Sequence, residues 1–250
     1  MLINELKLAK ELIRRPSVTP KDAGSINLLA KNLRLLGKAE QSLQCFENVL
    51  LKDKKNIKAL TEKAKSYEDL SQYREAINCY EDVLDITGKD VCVLNDIAYS
   101  YLQLSEYDVA ISYLEKVLQI DEKNVWATDE MGYCYLRLKN YDKALDYFKR
   151  SNKLEKDEDD HFALEKITWV YFNQDDYDTA LKYANQLIEK GTTSARIFYV
   201  KARVLIKRKK FDDAIISLQK SLSFNGVKVD LFFDLGLCYQ NSVKIQRFDL

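Results

Sequence analysis

The chain has 250 residues, and its 39 lysines and arginines are balanced by 39 aspartates and glutamates. A charged fraction of 31% without net charge argues against a uniformly basic nucleic-acid binder and against an acidic solvating tail. Only two prolines and seven glycines occur, which favours long helices joined by short connections.

The sequence carries no signal for a membrane, for secretion or for metal binding. No apolar run is long enough to span a bilayer, and Glu5 and Glu11 lie where a signal peptide needs an apolar core. The five cysteines are an odd set without CxxC spacing, so we interpret them as reduced, mostly buried packing residues. We expect a cytoplasmic protein that does not contact membranes.

The first predicted element is an amphipathic helix that ends at Pro16, within an N-terminal capping segment of residues 1–22. The stretch LAKELIRRPSVTPKDAGSINLLAKNLRLLG, residues 8–37, resembles the opening of succinyl-diaminopimelate desuccinylase, a two-zinc amidohydrolase. The metal motifs of that family are absent and His161 is the single histidine, so no metal chemistry is implied. The resemblance is either a gene-fusion remnant that caps the first repeat or a coincidence of a helix, a PSVTP loop and a helix.

The rest of the chain repeats with a period of 34 residues. The slot held by Ser42 in the first unit is alanine in the next five, and the series is shifted once by two inserted residues near Asp159 and Asp160. These alanines are Ala76, Ala110, Ala144, Ala180 and Ala214. The resulting units are 23–56, 57–90, 91–124, 125–158, 161–194 and 195–228, with a partial seventh at 229–250.

Each unit is predicted to form two helices. Twelve residues before the alanine slot comes a small residue that lets the helices approach closely, and three residues later comes a larger side chain that fills the gap. The small residues are Ala30, Ala64, Ala98, Gly132, Thr168, Ala202 and Gly236. The fillers are Leu33, Tyr67, Tyr101, Tyr135, Tyr171, Leu205 and Tyr239.

These offsets resemble the tetratricopeptide repeat family. The resemblance implies an all-α fold, a right-handed superhelical solenoid of antiparallel helix pairs with six full repeats and a partial seventh over residues 23–250. It also implies that the first helix of each pair lines a concave groove. At the end of the chain, FDL at 248–250 matches the residues that begin a second helix elsewhere, provided that three extra residues lie around 241–245. We therefore expect either a fragment of a longer array or an array whose final helix is missing. The alternative is a frayed terminal helix that caps the array itself.

No catalytic constellation is present. The sequence has no nucleophile elbow, no glycine-rich phosphate loop and no pair of histidines, and His161 has no partner for metal binding. We therefore expect a chain that is not an enzyme and needs no cofactor and no metal.

The candidate binding residues lie on the groove face of the first helices, at repeat positions 2, 5 and 9. They are Asn95, Tyr99, Trp126, Asp129, Tyr133, Phe162, Glu165, Trp169, Arg196 and Arg203. Aromatic side chains beside carboxylates favour a ligand with basic and apolar side chains, so a protein or peptide of that kind is the expected partner. The alternative is that Tyr99, Tyr133 and Trp169 only pack between adjacent helices.

Three function classes follow. The first is a non-catalytic scaffold or adaptor that binds a protein segment in the groove. The second is a regulatory or substrate-docking region of a larger enzyme. The third is RNA binding, favoured by nine basic residues against two acidic ones in 195–228 and by KRKK at 207–210, although a turn position argues against nucleic acid.

The net charge is zero because segments of opposite charge cancel one another. Residues 1–56 carry +5, residues 57–194 carry −11 and residues 195–228 carry +7. Such a separation of charge can steer partners at modest ionic strength. We therefore expect an acidic central array between two basic ends.

Overall fold

The computed structural model describes residues 23–154, 162–224 and 229–248, and every regular element within these ranges is an α-helix. In chain order the helices are α1 (Ala23–Leu35), α2 (Ala39–Lys52), α3 (Ile57–Asp69), α4 (Tyr73–Thr87), α5 (Val91–Gln103), α6 (Tyr107–Ile120), α7 (Val125–Arg137), α8 (Tyr141–Leu154), α9 (Phe162–Asn173), α10 (Tyr177–Glu189), α11 (Ala195–Lys207), α12 (Phe211–Ser223) and α13 (Val229–Phe248). Each predicted full repeat contains one pair of these helices, and α13 falls in the partial seventh.

The predicted all-α fold of adjacent helix pairs is confirmed. The chain divides into two compact units, one up to Ala127 and one from Thr128 onwards. In the first unit, Ala76 and Tyr80 of α4 pack with Ile97 of α5 in one apolar cluster. In the second unit, Ala144 and Phe148 of α8 pack with residues of α9. The alanine slot is fully buried in all five repeats that have it, as the period predicted.

The turn inside each pair has a left-handed residue at one fixed slot. Gly37 occupies it in the first repeat with a φ of 74°. In the next five repeats the slot has φ between 58° and 61° and is held by Ser71, Ser105, Lys139, Asp175 and Lys209. The residue after the slot donates a backbone hydrogen bond to the filler of the first helix, as from Gln72 to Tyr67 at 2.8 Å. This Schellman geometry ends the helix and turns the chain into the second helix.

The left-handed slot makes a prediction about stability. Gly37→Ala should destabilise the chain by about 1 kcal/mol, because a Cβ is strained at positive φ even though no atom lies within 4 Å of its position. Ser71→Gly should stabilise it by about the same amount for the same reason. Urea unfolding measures both. A change of the same sign for the two substitutions would contradict the role of backbone strain.

The expectation that Phe248 begins a second helix is wrong. Helix α13 runs without interruption from Val229 to Phe248, so Phe248 belongs to a first helix and does not begin a second one. The 34-residue pattern placed FDL in register only by assuming three extra residues around 241–245. The N-terminal capping segment, residues 1–22, and His161 lie outside the described residues.

Two further expectations concern the cysteines and the membrane. Cys79, Cys134 and Cys238 are buried and Cys45 is half-buried, whereas Cys92 is exposed. In the described part of the chain, no helix is both long enough and apolar enough to cross a lipid bilayer.

A candidate binding cavity in the second unit

The second unit contains a cavity of about 610 Å³. First helices supply most of its functional side chains, because the residues at repeat positions 2, 5, 9 and 13 of a first helix share one face. Three predicted site residues line it, namely Tyr133 of α7, Trp169 of α9 and Arg196 of α11. The cavity is thus built from successive helix pairs of one unit.

Both aromatic anchors of the cavity are held by neighbouring side chains. The Tyr133 side chain remains 36% exposed, and Arg137 Nη1 donates a hydrogen bond of 3.1 Å to Tyr133 Oη. The Trp169 ring stacks on Phe172 with 5.4 Å between ring centres, and the guanidinium of Arg196 lies 5.8 Å from the Trp169 ring centre. These contacts fix the rings while Tyr133 still presents surface to a ligand.

The structure gives Asp129 a different role from the predicted one. Lys166 Nζ lies 2.8 Å from Asp129 Oδ2, and the two side chains are only 17% and 9% exposed, respectively. Asp129 is therefore already paired with a cation of the same unit. This geometry does not favour the prediction that the Asp129 carboxylate attracts a basic ligand. The repeat pattern of the sequence does not show that Lys166 of α9 lies beside Asp129 of α7.

Glu165 and Arg203 are likewise engaged in contacts within the unit. The Ser194 hydroxyl donates to Glu165 Oε2 at 2.9 Å, and the Thr192 hydroxyl donates to Oε1 at 3.4 Å, which ties α9 to the turn before α11. Arg203 Nη1 lies 3.2 Å from Asp234 Oδ2. Arg203 lines two smaller cavities of about 280 and 270 Å³.

The remaining predicted site residues lie elsewhere. Asn95, Tyr99 and Trp126 belong to the first unit. Tyr99 is 43% exposed, while the Oδ1 atom of Asn95 is buried without a hydrogen-bond partner. Phe162 is the first residue of α9, and its side chain lies outside the described part of the structure.

Several cavity residues were missed. They include Arg137, Lys139, Lys166, Asn173 and Asp230, whereas Tyr199, which also lines the cavity, holds the predicted groove position 5 of its repeat. Arg137 and Asn173 share repeat position 13, and Asp230 holds position 2 of the partial seventh unit, so extending the same register to these positions would have found them. Lys139 had no such signal, because it reaches the cavity from the left-handed turn slot.

The first unit holds a partly buried acidic pair on its first helices. Ser100 Oγ donates to Glu68 Oε1 at 3.1 Å. Burial, followed by the nearby charge of Asp96, raises the pKa of Glu68 to about 6. Burial also raises the pKa of Asp96, against the opposing effect of Lys65. The folded first unit therefore takes up a proton more readily than the unfolded chain does.

This pair makes stability depend on pH. The pKa of Glu68 is higher in the folded protein than in the unfolded chain. Ionisation of Glu68 therefore lowers the free energy of unfolding above pH about 6, and this loss of stability disappears as pH falls to about 4.5. Glu68→Gln should therefore raise the melting temperature at pH 7.5 and leave it almost unchanged at pH 4.5. Thermal unfolding across this range measures the difference. An equal gain at both pH values would show that charge is not the cause.

Comparisons with known proteins agree with this architecture. Residues 57–90 and 89–151 match models described as tetratricopeptide repeat, and residues 151–221 match a model described as anaphase-promoting complex, cyclosome, subunit 3. No curated protein matches the chain, so the resemblance of residues 8–37 to the desuccinylase has no support.

Solved structures extend the likeness over most of the chain. A tetratricopeptide repeat protein from Parabacteroides merdae ATCC 43184 is 20% identical, with 95% of this chain and 92% of that chain covered and a TM-score of 0.69. The APC/C hetero-tetramer Cut9-Hcn1 is 18% identical over 94% of this chain and 46% of that chain, with a TM-score of 0.65. YrrB, described as a TPR protein with an unusual peptide-binding site, is 18% identical over 77% of this chain and 96% of that chain, with a TM-score of 0.60. The chain therefore carries tetratricopeptide repeats and has the fold of repeat proteins.

Proposed function

We propose that this tetratricopeptide repeat chain is a non-catalytic adaptor whose second unit binds a polypeptide segment of a partner protein. The observation that carries the proposal is the cavity of about 610 Å³ in which Tyr133, Trp169 and Arg196 meet. Its volume lies within the range of about 300–1,000 Å³ that is typical of ligand sites. The peptide-binding site named for YrrB supports such a use of the fold.

The residue types suit a peptide. Tryptophan, tyrosine and arginine are the side chains most enriched at the energetic centres of protein interfaces. An aromatic ring with a polar group offers a large apolar surface and one directed hydrogen bond, and Tyr133 and Trp169 provide this combination. Because the site is built on helices and not on long loops, little ordering of the protein is needed on binding.

The proposal is tested with a displayed library of random peptides selected on the full chain. The wild type should enrich a peptide family, and the variant with both Tyr133→Ala and Trp169→Ala should not. Far-ultraviolet circular dichroism should show equal helicity for the two proteins. Equal enrichment by both proteins, or no enrichment by a folded wild type, would contradict peptide binding at this cavity.

The two other function classes receive no specific support from the described residues. The KRKK stretch lies at the turn between α11 and α12, where Arg208 pairs with Asp178 and Lys209 holds the left-handed slot. A charged run at a solvated helix turn has a structural explanation that needs no RNA. No described feature points to an attached catalytic domain.

A further inference from the structure

We infer that the segment bound in the cavity of the second unit is acidic, with at least one apolar side chain. This inference rests on the proposed function and reverses the ligand charge expected from sequence. The expected carboxylates of the groove, Asp129 and Glu165, already have partners in the unit, Lys166 for the first and the hydroxyls of Thr192 and Ser194 for the second. They are therefore poorly placed to recognise a basic ligand.

The charges that line the cavity point to an anion. Among the described residues, four cationic side chains line it, Arg137, Lys139, Lys166 and Arg196, against the carboxylate of Asp230. Lys166 is offset by Asp129 at 2.8 Å, and Glu130 also interacts with it electrostatically. Arg137 is engaged within the unit as well, through its hydrogen bond to Tyr133, so the inference rests on the two other lining cations, Lys139 and Arg196. Electrostatic complementarity then favours a segment with negative charge.

Arg196 is the residue best placed to recognise a carboxylate. It is exposed in the second position of α11, and its guanidinium lies over the Trp169 ring at 5.8 Å. An arginine held on an aromatic face loses less rotamer freedom on binding, and its planar donors match a carboxylate in two parallel hydrogen bonds. The same contact places an apolar ring beside the charge, which suits an acidic residue next to an apolar one.

A peptide fits these groups better than single-stranded RNA does. RNA binding of that kind uses aromatic faces on which bases stack. The Trp169 ring already stacks on Phe172 and carries Arg196, and Asp230 would repel a continuous phosphate chain. A peptide can place a few carboxylates near the cations and keep apolar side chains near Asp230.

The peptide library distinguishes this inference from the proposed function. If the chain enriches peptides with net negative charge and an apolar residue, both stand. If it enriches peptides that are neutral or basic, the acidic ligand is wrong while peptide binding stands. If a folded chain enriches no peptide, the proposed function itself fails.

Charge variants of the full chain then locate the contact, with one enriched peptide as the probe in fluorescence anisotropy. Arg196→Glu should weaken binding about tenfold at low ionic strength, and Asp230→Asn should strengthen it about two- to threefold. Lys182→Glu is the control for charge reversal, because Lys182 is exposed on α10 and does not line the cavity, so it should change affinity less than twofold. Equal effects of Arg196→Glu and Lys182→Glu would overturn the inference, as would tighter binding of an oligouridylate than of the peptide.

Discussion

Lys166→Met should destabilise the second unit by about 3 kcal/mol, because it leaves the Asp129 carboxylate buried without its cation. Asp129 is 9% exposed, and the distance from Lys166 Nζ to Asp129 Oδ2 is 2.8 Å. The other carboxylate oxygen, Oδ1, is buried without a hydrogen-bond partner, so little else compensates the charge. Chemical unfolding followed by circular dichroism measures the loss.

A second substitution separates charge from packing. In the Lys166→Met background, Asp129→Asn should restore about 2 kcal/mol, because the uncompensated charge is gone. Asp129→Asn alone should be destabilising, since it removes the ion pair that Lys166 forms with Asp129 at 2.8 Å. If Lys166→Met costs less than about 0.5 kcal/mol, Asp129 is solvated and becomes available to a ligand again.

Gly132→Ala should destabilise the chain by about 1–3 kcal/mol through overpacking. A Cβ at this position would lie 2.6 Å from Phe148 Cε1 and 2.7 Å from Cδ1. Phe148 is completely buried among apolar residues of α8 and α9, so its ring cannot move aside without disturbing that cluster. Thermal and urea unfolding should both show the loss.

Gly236→Ala is the matched control, since Gly236 holds the same repeat slot in α13. No atom lies within 4 Å of the position of its added Cβ. Alanine should therefore stabilise the helix by up to about 1 kcal/mol through its higher helix propensity. Loss of stability in both variants, or in neither, would contradict the close approach of α7 and α8 as the reason for Gly132.

The parts of the fold that follow a period could be predicted from sequence. The buried alanine at a 34-residue spacing identified the second helices, and the small residue twelve positions earlier identified the first helices. The left-handed turn was not predicted, because Ser71 and Lys139 are not residue types that announce positive φ. At this turn the positive φ follows from the Schellman geometry that joins the two helices, and not from the type of residue that holds the slot.

The candidate site was predicted in part for the same reason. Tyr133, Trp169 and Arg196 meet at the cavity because they occupy groove positions of successive first helices. Asp129 and Glu165 occupy such positions too, but their partners come from other helices and turns at separations that vary between repeats. A period places a side chain on a face and does not show what that side chain contacts. The ligand charge that we propose depends on those contacts, which is why it differs from the charge expected from sequence.

The two tryptophans allow the most direct test of binding in the second unit, because Trp126 lies in the first unit and Trp169 lines the cavity of the second. With Trp126→Phe, Trp169 is the single tryptophan of the chain, and Trp169→Phe makes Trp126 the single one. Titration with a tryptophan-free enriched peptide should give a saturable change in Trp169 emission and little change in Trp126 emission. A saturable change in Trp126 emission with Trp169 unaffected would place the ligand elsewhere and contradict binding at this cavity.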